Sequence, residues 1–375
     1  MKLEKSIFWA AIIALVIGAY GIIIKLTSGN LDANIGSYIP WGLGVAGYAY
    51  LMGISAGSFL LAAFAYLFEI KSLEKIRRLG LITSLSTAIP GMILVFLDIG
   101  HPFRVFISAI HLNLSSVMSW MFILYPLYLI ILILMLWQTS DDRKDVKKLA
   151  VAGIIVAIAF EIGGGALYGV VGARPYWNAG ILPIMFLTSA LLSGIACVTF
   201  VAYILQPEEL RNNVRTLRNS ILVLIAIYGL LEFSDILSIY YSKIPSDIAS
   251  VNLLLFGPFA WVFWGFFLMG TILIPALLLI LKKTEIWALA LASGMVAISS
   301  LSTKLNIVFP GLAVPELAGL ENAFVHARLS FSYFPSTMEW LEFVFTLALA
   351  AILIIILNRA LIERKSIISL FKEAI

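Results

Sequence analysis

The chain has 375 residues, of which 62% are hydrophobic and only 12% are charged. Its mean hydropathy of +1.03 excludes a soluble globular domain, because so few polar residues could not cover a surface in contact with water. The formal net charge of +4 does not indicate a nucleic-acid partner, since the basic residues lie in loops between apolar runs, as they do in membrane proteins.

Apolar runs of about 20 residues predict membrane-spanning helices, because lipid leaves every backbone polar group to be satisfied within the helix. We predict an all-α membrane protein with ten transmembrane helices in a single domain of residues 1–375. The first helix is expected to be a retained anchor rather than a cleaved signal peptide. The predicted spans are about 7–26, 41–68, 79–97, 115–138, 149–172, 180–205, 219–241, 254–281, 285–308 and 338–360.

The basic residues predict the orientation of these spans. Nineteen of the 25 Lys and Arg residues lie in the termini and in the loops on one side of the membrane. The other six include Lys25 and Lys304, which we place at the outer ends of helices. The positive-inside rule therefore predicts that both termini are cytoplasmic (N-in/C-in) in a multi-pass protein of the cytoplasmic membrane. The loop 98–114 then faces away from the cytoplasm.

Two of the predicted spans share a weak internal similarity. The stretch SAGSFLLAAFAYLFE of the second span resembles LSGIACVTFVAYILQ of the sixth, and Gly57 aligns with Gly194. A duplication would give two four-helix bundles, with the first and last spans flanking them. Chance similarity between helices rich in small residues is the alternative. The two predicted repeats are residues 41–172 and 180–308.

The histidines and the cysteine exclude several redox cofactors. His101, His111 and His326 all lie in predicted outer loops, whereas a haem between helices needs paired ligands on facing helices. The single Cys197 cannot hold an iron–sulfur cluster, and no metal-binding helix motif or glycine-rich phosphate loop occurs. We expect no metal, haem or iron–sulfur cluster in this chain.

The predicted outer side gathers hydrogen-bonding and aromatic groups over apolar helices. An ordinary aromatic belt with a few topogenic charges would explain each tryptophan singly. Together, however, such groups suit a quinone, whose ring needs stacking and hydrogen bonds and whose oxidation needs a histidine or carboxylate to take protons. The outer-side candidates are Asp98, His101, Arg104, His111, Arg174, Trp41 and Trp177.

Three carboxylates lie within predicted spans, where an ionisable group costs a few kcal/mol. Glu161 is near the middle of the fifth span, and Glu232 and Asp235 share one face of the seventh. One interpretation is a neutral, hydrogen-bonded carboxyl that holds helices together. The other is a proton path or a substrate ligand.

Five stretches resemble the NrfD/PsrC family, the NrfD-type membrane subunits of polysulfide reductases. Among its branches, the ten predicted spans favour the DsrP-like menaquinol-oxidising one. The five stretches are PWGLGVAGYAYLMGISAGS (40–58), DIGHPFR (98–104), NLSSVMSW (113–120), GARPYWNAGILPIMFLTSALLSG (172–194) and YFPSTMEWLEF (333–343).

This resemblance implies a function that requires partners. Members of the family bind a quinone near the extracytoplasmic face and exchange electrons with an iron–sulfur partner, without a haem of their own. We therefore expect menaquinone or another quinone as cofactor. The expected partners are an extracytoplasmic ferredoxin-like iron–sulfur subunit and other membrane and cytochrome subunits. The chain would not be catalytic without them.

By motif position, Asp98 and Arg104 match the family's D-x-G-R-P-x-R loop, in which His101 stands where an Arg is usual. Arg174 and Trp177 match its R-P-x-W segment. The expected catalytic residues are His101, Asp98 and His111. The expected quinone-binding residues are Arg174, Trp177, Arg104, Trp41 and Tyr168, with Glu161 as the alternative to Tyr168. The expected proton-path residues are Glu161, Glu232 and Asp235.

Other functions are compatible with the sequence. A proton- or ion-coupled secondary transporter could use the three buried carboxylates for coupling, with Pro90 and the glycines 163–165 as helix breakers. Redox-driven proton translocation would combine quinone chemistry with the same carboxylates. A passive membrane anchor would use the outer polar groups only to bind the partner.

Overall fold

The computed structural model describes residues 2–100, 102–139, 145–174, 176–317, 319–326 and 328–362. Within these residues the secondary structure is helical throughout, and ten helices are long and apolar enough to cross a membrane. The predicted all-α fold with ten transmembrane helices is therefore confirmed. The chain is a multi-pass integral membrane protein.

The described residues of the first half of the chain form six α-helices and two short 3-10 turns. The turns Lys71–Leu73 and Pro102–Arg104 precede α3 and α4. Only α4 is too short to cross a membrane. The helices are α1 (Lys2–Ser28), α2 (Leu43–Leu67), α3 (Glu74–Asp98), α4 (Val105–Ile110), α5 (Val117–Gln138) and α6 (Lys147–Gly169).

The second half of the chain is less regular. A π-helical segment, Val262–Leu273, leads into α10, and a second one, Asn358–Ile362, follows α14. The helices are α7 (Leu182–Leu205), α8 (Pro207–Ser242), α9 (Pro245–Leu255), α10 (Ile274–Leu281), α11 (Ile286–Ser299), α12 (Ser302–Ala313), α13 (Leu320–Ala323) and α14 (Thr337–Leu357).

The buried apolar side chains form three clusters. One lies mainly among α2, α3, α5 and α6, and a larger one joins α7 to α12 with parts of α2 and α6. The third lies between α1 and α14, which pack along each other. α2 crosses α7 at Gly57 and Gly194, the two glycines that align in the predicted repeat. A Cβ on either would meet the backbone of the other helix.

Several helix boundaries differ from the predicted spans. The predicted loop 206–218 is helical, because Pro207 begins α8 and acidic residues follow it in the first turn. The predicted span 254–281 starts instead at Val262, after the separate short helix α9. Hydropathy reports only the apolar part of a helix, so polar extensions and short surface helices escape it.

The prediction that Lys304 marks an outer helix end is wrong. Lys304 lies inside the α11–α12 span and is only 3% exposed. Its Nζ donates to Ser189 Oγ at 3.0 Å and lies 3.5 Å from the centre of the Phe186 ring. The span was predicted to end at about residue 308, but α12 continues to Ala313. Lys304 therefore lies within the helix bundle and not at its outer end.

Candidate functional site

A cavity of about 840 Å³ lies between α2, α3, α5 and α6, with Phe186 of α7 closing one side. Its volume falls within the range of about 300–1,000 Å³ that ligand pockets occupy. The wall is largely apolar and sulfur-rich, with aromatic rings among the flexible side chains. The methionines and phenylalanines of the wall are Met52, Met92, Met118, Met121, Phe96, Phe106, Phe122, Phe160 and Phe186.

The cavity borders the lipid between α3 and α5. Ile89 of α3 is 36% exposed and Met118 of α5 is 47% exposed, and both line the cavity. Pro126 of α5 also lines it and is exposed. An apolar chain attached to a ligand in the cavity could therefore leave sideways into the hydrocarbon region.

Polar groups line the cavity at two depths. Asn30 and Asp98 lie at the end where Arg174 is found, the end predicted to face outward. Asn30 Oδ1 is buried and has no hydrogen-bond partner among the described residues. Glu161 lies deeper, two helical turns before the end of α6 at Gly169, which corresponds to about 12 Å along the helix.

Three tyrosines accompany Glu161. Tyr48, Tyr125 and Tyr168 all line the cavity, and the Tyr48 hydroxyl donates to the Tyr125 hydroxyl. Tyr168 is buried and places its ring edge against Trp41, with 5.6 Å between the ring centres. Phenol groups can donate and accept, so this inner region can bind either a carbonyl or a hydroxyl.

Stacked tryptophans form the wall next to the outer loops. Trp41 lines the cavity and stacks on Trp177, with 5.5 Å between the ring centres. Trp177 lies behind it, is 3% exposed, and donates from Nε1 to the Ile307 carbonyl at 2.7 Å. The structure thus places Trp41 and Tyr168 on the cavity and Trp177 in support of them.

Arg174 does not line the cavity. Its guanidinium pairs with Glu316 at 2.9 Å and donates to the Val314 carbonyl at 3.0 Å, which ties the loop before α7 to the end of α12. Burial lowers the pKa of Arg174, an effect that Glu316 opposes. Arginine remains protonated in proteins despite such shifts, so this residue acts as a fixed positive charge within the outer loops.

Arg104 and His111 of the outer loop do not line the cavity either. Arg104 and His111 are exposed, and His111 Nδ1 is 3.1 Å from the Ile107 carbonyl of its own short helix. His101 lies outside the described residues. Val105 and Phe106 of the same segment do line the cavity, so proximity in sequence to Asp98 does not by itself bring a side chain to the cavity wall.

The predicted membrane carboxylates fall into two places. Glu161 borders the cavity and has Lys304 as its electrostatic neighbour. Glu232 and Asp235 lie on α8 away from the cavity, where Glu232 neighbours Tyr228 and Asp235. Among the described residues, no group of three or more His, Cys, Asp or Glu side chains is arranged to hold a metal.

Sequence reasoning missed four polar residues at or near the cavity. Asn30 follows Gly29, whose positive φ of 61° ends α1, and that glycine is the signal that could have drawn attention to it. Tyr48 lies within a family stretch, among other aromatic residues that resemble it. The remaining two are Tyr125, in a run of apolar residues without any local signal, and Lys304, which the loop charges predict to be topogenic.

In the described part of the chain, the structure thus combines ten helices that can cross a membrane with an apolar cavity that has hydrogen-bonding groups at two depths. The family described as "Polysulphide reductase, NrfD" matches residues 33–316, and the chain belongs to this family.

Individual relatives extend the match over nearly the whole chain. The chain is 28% identical to a selenate reductase subunit of Mesobacillus selenatarsenatis, over 90% of this chain and 89% of the relative. It is 26% identical to the Hdr-like menaquinol oxidoreductase integral membrane subunit of Archaeoglobus fulgidus, over 93% and 90%. The menaquinone reductase integral membrane subunit of Nitratidesulfovibrio vulgaris is 23% identical, over 74% of each chain.

Proposed function

We propose that this chain is the quinone-binding subunit of a respiratory oxidoreductase in the cytoplasmic membrane. It exchanges electrons between menaquinol and an iron–sulfur partner on the extracytoplasmic side. The observation that carries the proposal is the cavity, which combines apolar walls, a lipid-facing gap and polar groups at two depths. The names of two relatives include menaquinol or menaquinone, which supports this ligand class.

The residues of the cavity fit a menaquinone. Trp41 offers a flat ring for stacking, and the gap between α3 and α5 gives the isoprenoid tail a path to lipid. Asn30 Oδ1, buried and without a partner among the described residues, is a ready acceptor for a quinol hydroxyl at the outer-predicted end. Glu161 and Tyr168 provide hydrogen-bonding groups deeper in the cavity. When bound, the quinone supplies two-electron, two-proton redox chemistry.

In this proposal the predicted residues divide by task. Asp98, Trp41, Tyr168 and Glu161 contact the quinone, and Trp177 supports Trp41. The exposed Arg104 and His111 face the iron–sulfur partner. Arg174 holds the loop before α7 against the end of α12 through its ion pair with Glu316.

Redox-driven proton translocation is part of the proposal, with Glu161, Glu232 and Asp235 as the path. Lys304 of α12 has Glu161 of α6 as a charged neighbour, and it is next in sequence to Thr303. Tyr228 of α8 lies near both Thr303 and Glu232. This polar sequence supports a link from the cavity to the carboxylates of α8. Vesicles that take up solute without any redox partner would instead favour the transporter alternative.

Filling the cavity tests the proposal. Ala49 lines the cavity, so the Ala49→Trp variant is expected to weaken binding of menaquinone-2 by about tenfold or more, through steric exclusion. Purified full-length protein in lipid nanodiscs is titrated with menaquinone-2, and bound quinone is measured by extraction and chromatography.

The matched control is Ala10→Trp, which adds the same side chain on an exposed position of α1. This variant is expected to bind as the unmodified protein does. Equal binding by Ala49→Trp, with an unchanged melting temperature, would show that the cavity is not the quinone site.

A further inference from the structure

Two buried charged side chains, from α1 and α14, neighbour Asp98 of the cavity wall. Lys25 of α1 is 5% exposed, and Glu342 of α14 is 2% exposed. Lys25 is an electrostatic neighbour of both Asp98 and Glu342, and those two carboxyls neighbour each other. We call Lys25, Asp98 and Glu342 the outer charge cluster. It connects the cavity wall to the flanking helices α1 and α14.

Close backbone contacts bring these residues together. At Gly21 of α1 a Cβ would lie 2.6 Å from Leu341 Cβ and 3.0 Å from Glu342 N, so only glycine lets α1 approach α14 here. Gly44 of α2 has the same role for Asp98, whose carboxyl occupies the space of a Cβ at that position. The cluster is therefore held by backbone packing rather than by flexible surface loops.

The neighbouring Glu339 is engaged in structural hydrogen bonds. Its carboxylate accepts from Ser336 N at 2.8 Å, from Asn34 N at 3.2 Å and from the Tyr333 hydroxyl at 2.5 Å. Burial, with Glu339 beside it, raises the pKa of Tyr333, which keeps that phenol protonated as a donor. Glu339 thus caps α14.

Glu342 differs from Glu339 in its bonding. Its Oε1 is buried and has no hydrogen-bond partner among the described residues. Lys25 neighbours Asp98 and Glu342, and Glu339 neighbours the same two carboxyls. The positive charge of Lys25 does not balance these carboxylates, so the region favours holding a proton on the group that lacks donors.

We propose that the outer charge cluster is the proton-exchange site for the quinone oxygen at the Asp98 end of the cavity. The inference rests on the proposed function. Asp98 accepts the proton when the O–H bond at this end breaks, and Glu342 shares that proton. The two electrons go to the iron–sulfur partner, and the second proton leaves at the Glu161 end. Lys25 is a positioning residue that stabilises the carboxylates when they are ionised. On quinone reduction the same proton returns.

Infrared difference spectroscopy on an electrode tests this site without the partner. Full-length protein in nanodiscs is loaded with menaquinone-2, and the electrode supplies or removes the electrons. Reduction of the bound quinone is expected to change the carboxyl C=O absorption, because Asp98 or Glu342 gives up its proton. In the Glu342→Gln variant this signal is expected to fall by about half, since the two coupled groups share the proton.

Two further variants define the outcome. Asp98→Asn is expected to remove most of the signal, whereas Glu321→Gln, which alters an exposed carboxyl of α13, is expected to leave it unchanged. Chromatography of bound quinone accompanies every spectrum. Unchanged carboxyl signals in both Glu342→Gln and Asp98→Asn, with quinone still bound, would overturn this inference alone. Failure of the unmodified protein to bind any quinone would overturn the proposed function and this inference with it.

Discussion

Individual side chains show how the bundle tolerates polarity inside the membrane. Serine and threonine hydroxyls mostly bond to a carbonyl one turn earlier in their own helix, as Thr199 does to Ile195 and Thr346 does to Phe343. Such bonds satisfy the hydroxyl without a second helix. The hydroxyls of Ser55 and Ser84 instead bond each other and Tyr128, and so join α2, α3 and α5.

Gly194 is predicted to be required for the close crossing of α2 and α7. The Gly194→Ala variant would place its Cβ against the backbone of Gly57 and Ser58, which cannot move aside as a side chain could. We expect a loss of about 1–3 kcal/mol of stability, as overpacked cores show. Thermal unfolding of the purified protein, followed by tryptophan fluorescence, measures this loss.

Gly229→Ala is the matched control, since Gly229 lies within α8 and a Cβ there would meet only Ile272 side-chain atoms at 3.9–4.0 Å. Alanine is favoured over glycine within helices by about 1 kcal/mol. This variant is therefore expected to be neutral or slightly stabilised. A melting temperature for Gly194→Ala as high as that of Gly229→Ala would contradict the tight crossing.

At the scale of elements, α1 and α14 form a pair along the side of the bundle. Gly18 and Gly21 allow close packing near one end, and a buried ion pair joins the other. That pair links Arg359 Nε to Glu4 Oε1 at 2.8 Å, with side-chain exposures of 4% and 8%. The sequence predicted that the first and last spans flank the rest of the bundle. In the proposed mechanism, Lys25 of α1 and Glu342 of α14 also act on the cavity, as members of the outer charge cluster.

The buried ion pair is predicted to stabilise this helix pair only while both partners are present. Arg359→Met leaves the Glu4 carboxylate buried without its partner, and we expect a cost of about 3–5 kcal/mol. The double variant Glu4→Gln/Arg359→Met is expected to recover most of that loss. Unfolding midpoints in detergent mixtures provide the measurement.

The exposed pair between Lys75 and Glu209, at 2.6 Å, serves as the comparison. Its lysine is 64% exposed, so Lys75→Met is expected to cost at most about 1 kcal/mol. If Arg359→Met lowers the unfolding midpoint as little as Lys75→Met does, the buried ion pair does not hold α1 and α14 together.

At the scale of the whole molecule, the orientation in the membrane determines which side of the cell the cavity serves. The cavity lies toward the loops that contain few basic residues, so the positive-inside rule predicts that it opens near the extracytoplasmic side. In the proposed function, a partner that collects electrons from the quinone is therefore expected to dock on that side.

Cysteine labelling tests this orientation. The native Cys197 is replaced by alanine, and a cysteine is placed at the exposed Glu321 or at the exposed Lys71 on the opposite side. A membrane-impermeant maleimide added to intact cells is expected to label Glu321→Cys and not Lys71→Cys. Labelling in the reverse pattern would place the cavity on the cytoplasmic side.

The hydropathy, the loop charges and the family stretches were sufficient to predict the helical class, the number of spans and the family. Each of these properties depends on local composition, because each segment enters lipid or stays in water according to its own apolar and charged residues. Asp98, Trp41, Tyr168 and Glu161 were also identified from their places in those stretches or in the predicted spans, and all four line the cavity.

Only the tertiary structure decided which polar groups share a space. It turned Arg174 toward the end of α12, and it buried Lys304 and Lys25, which both look topogenic in the sequence. It also brought Asn30, from near the start of the chain, to the cavity. Glu342, from near the end of the chain, became a neighbour of Asp98. The physical reason is that helix packing, and not the apolar content of a segment, determines which face of each helix meets a neighbour.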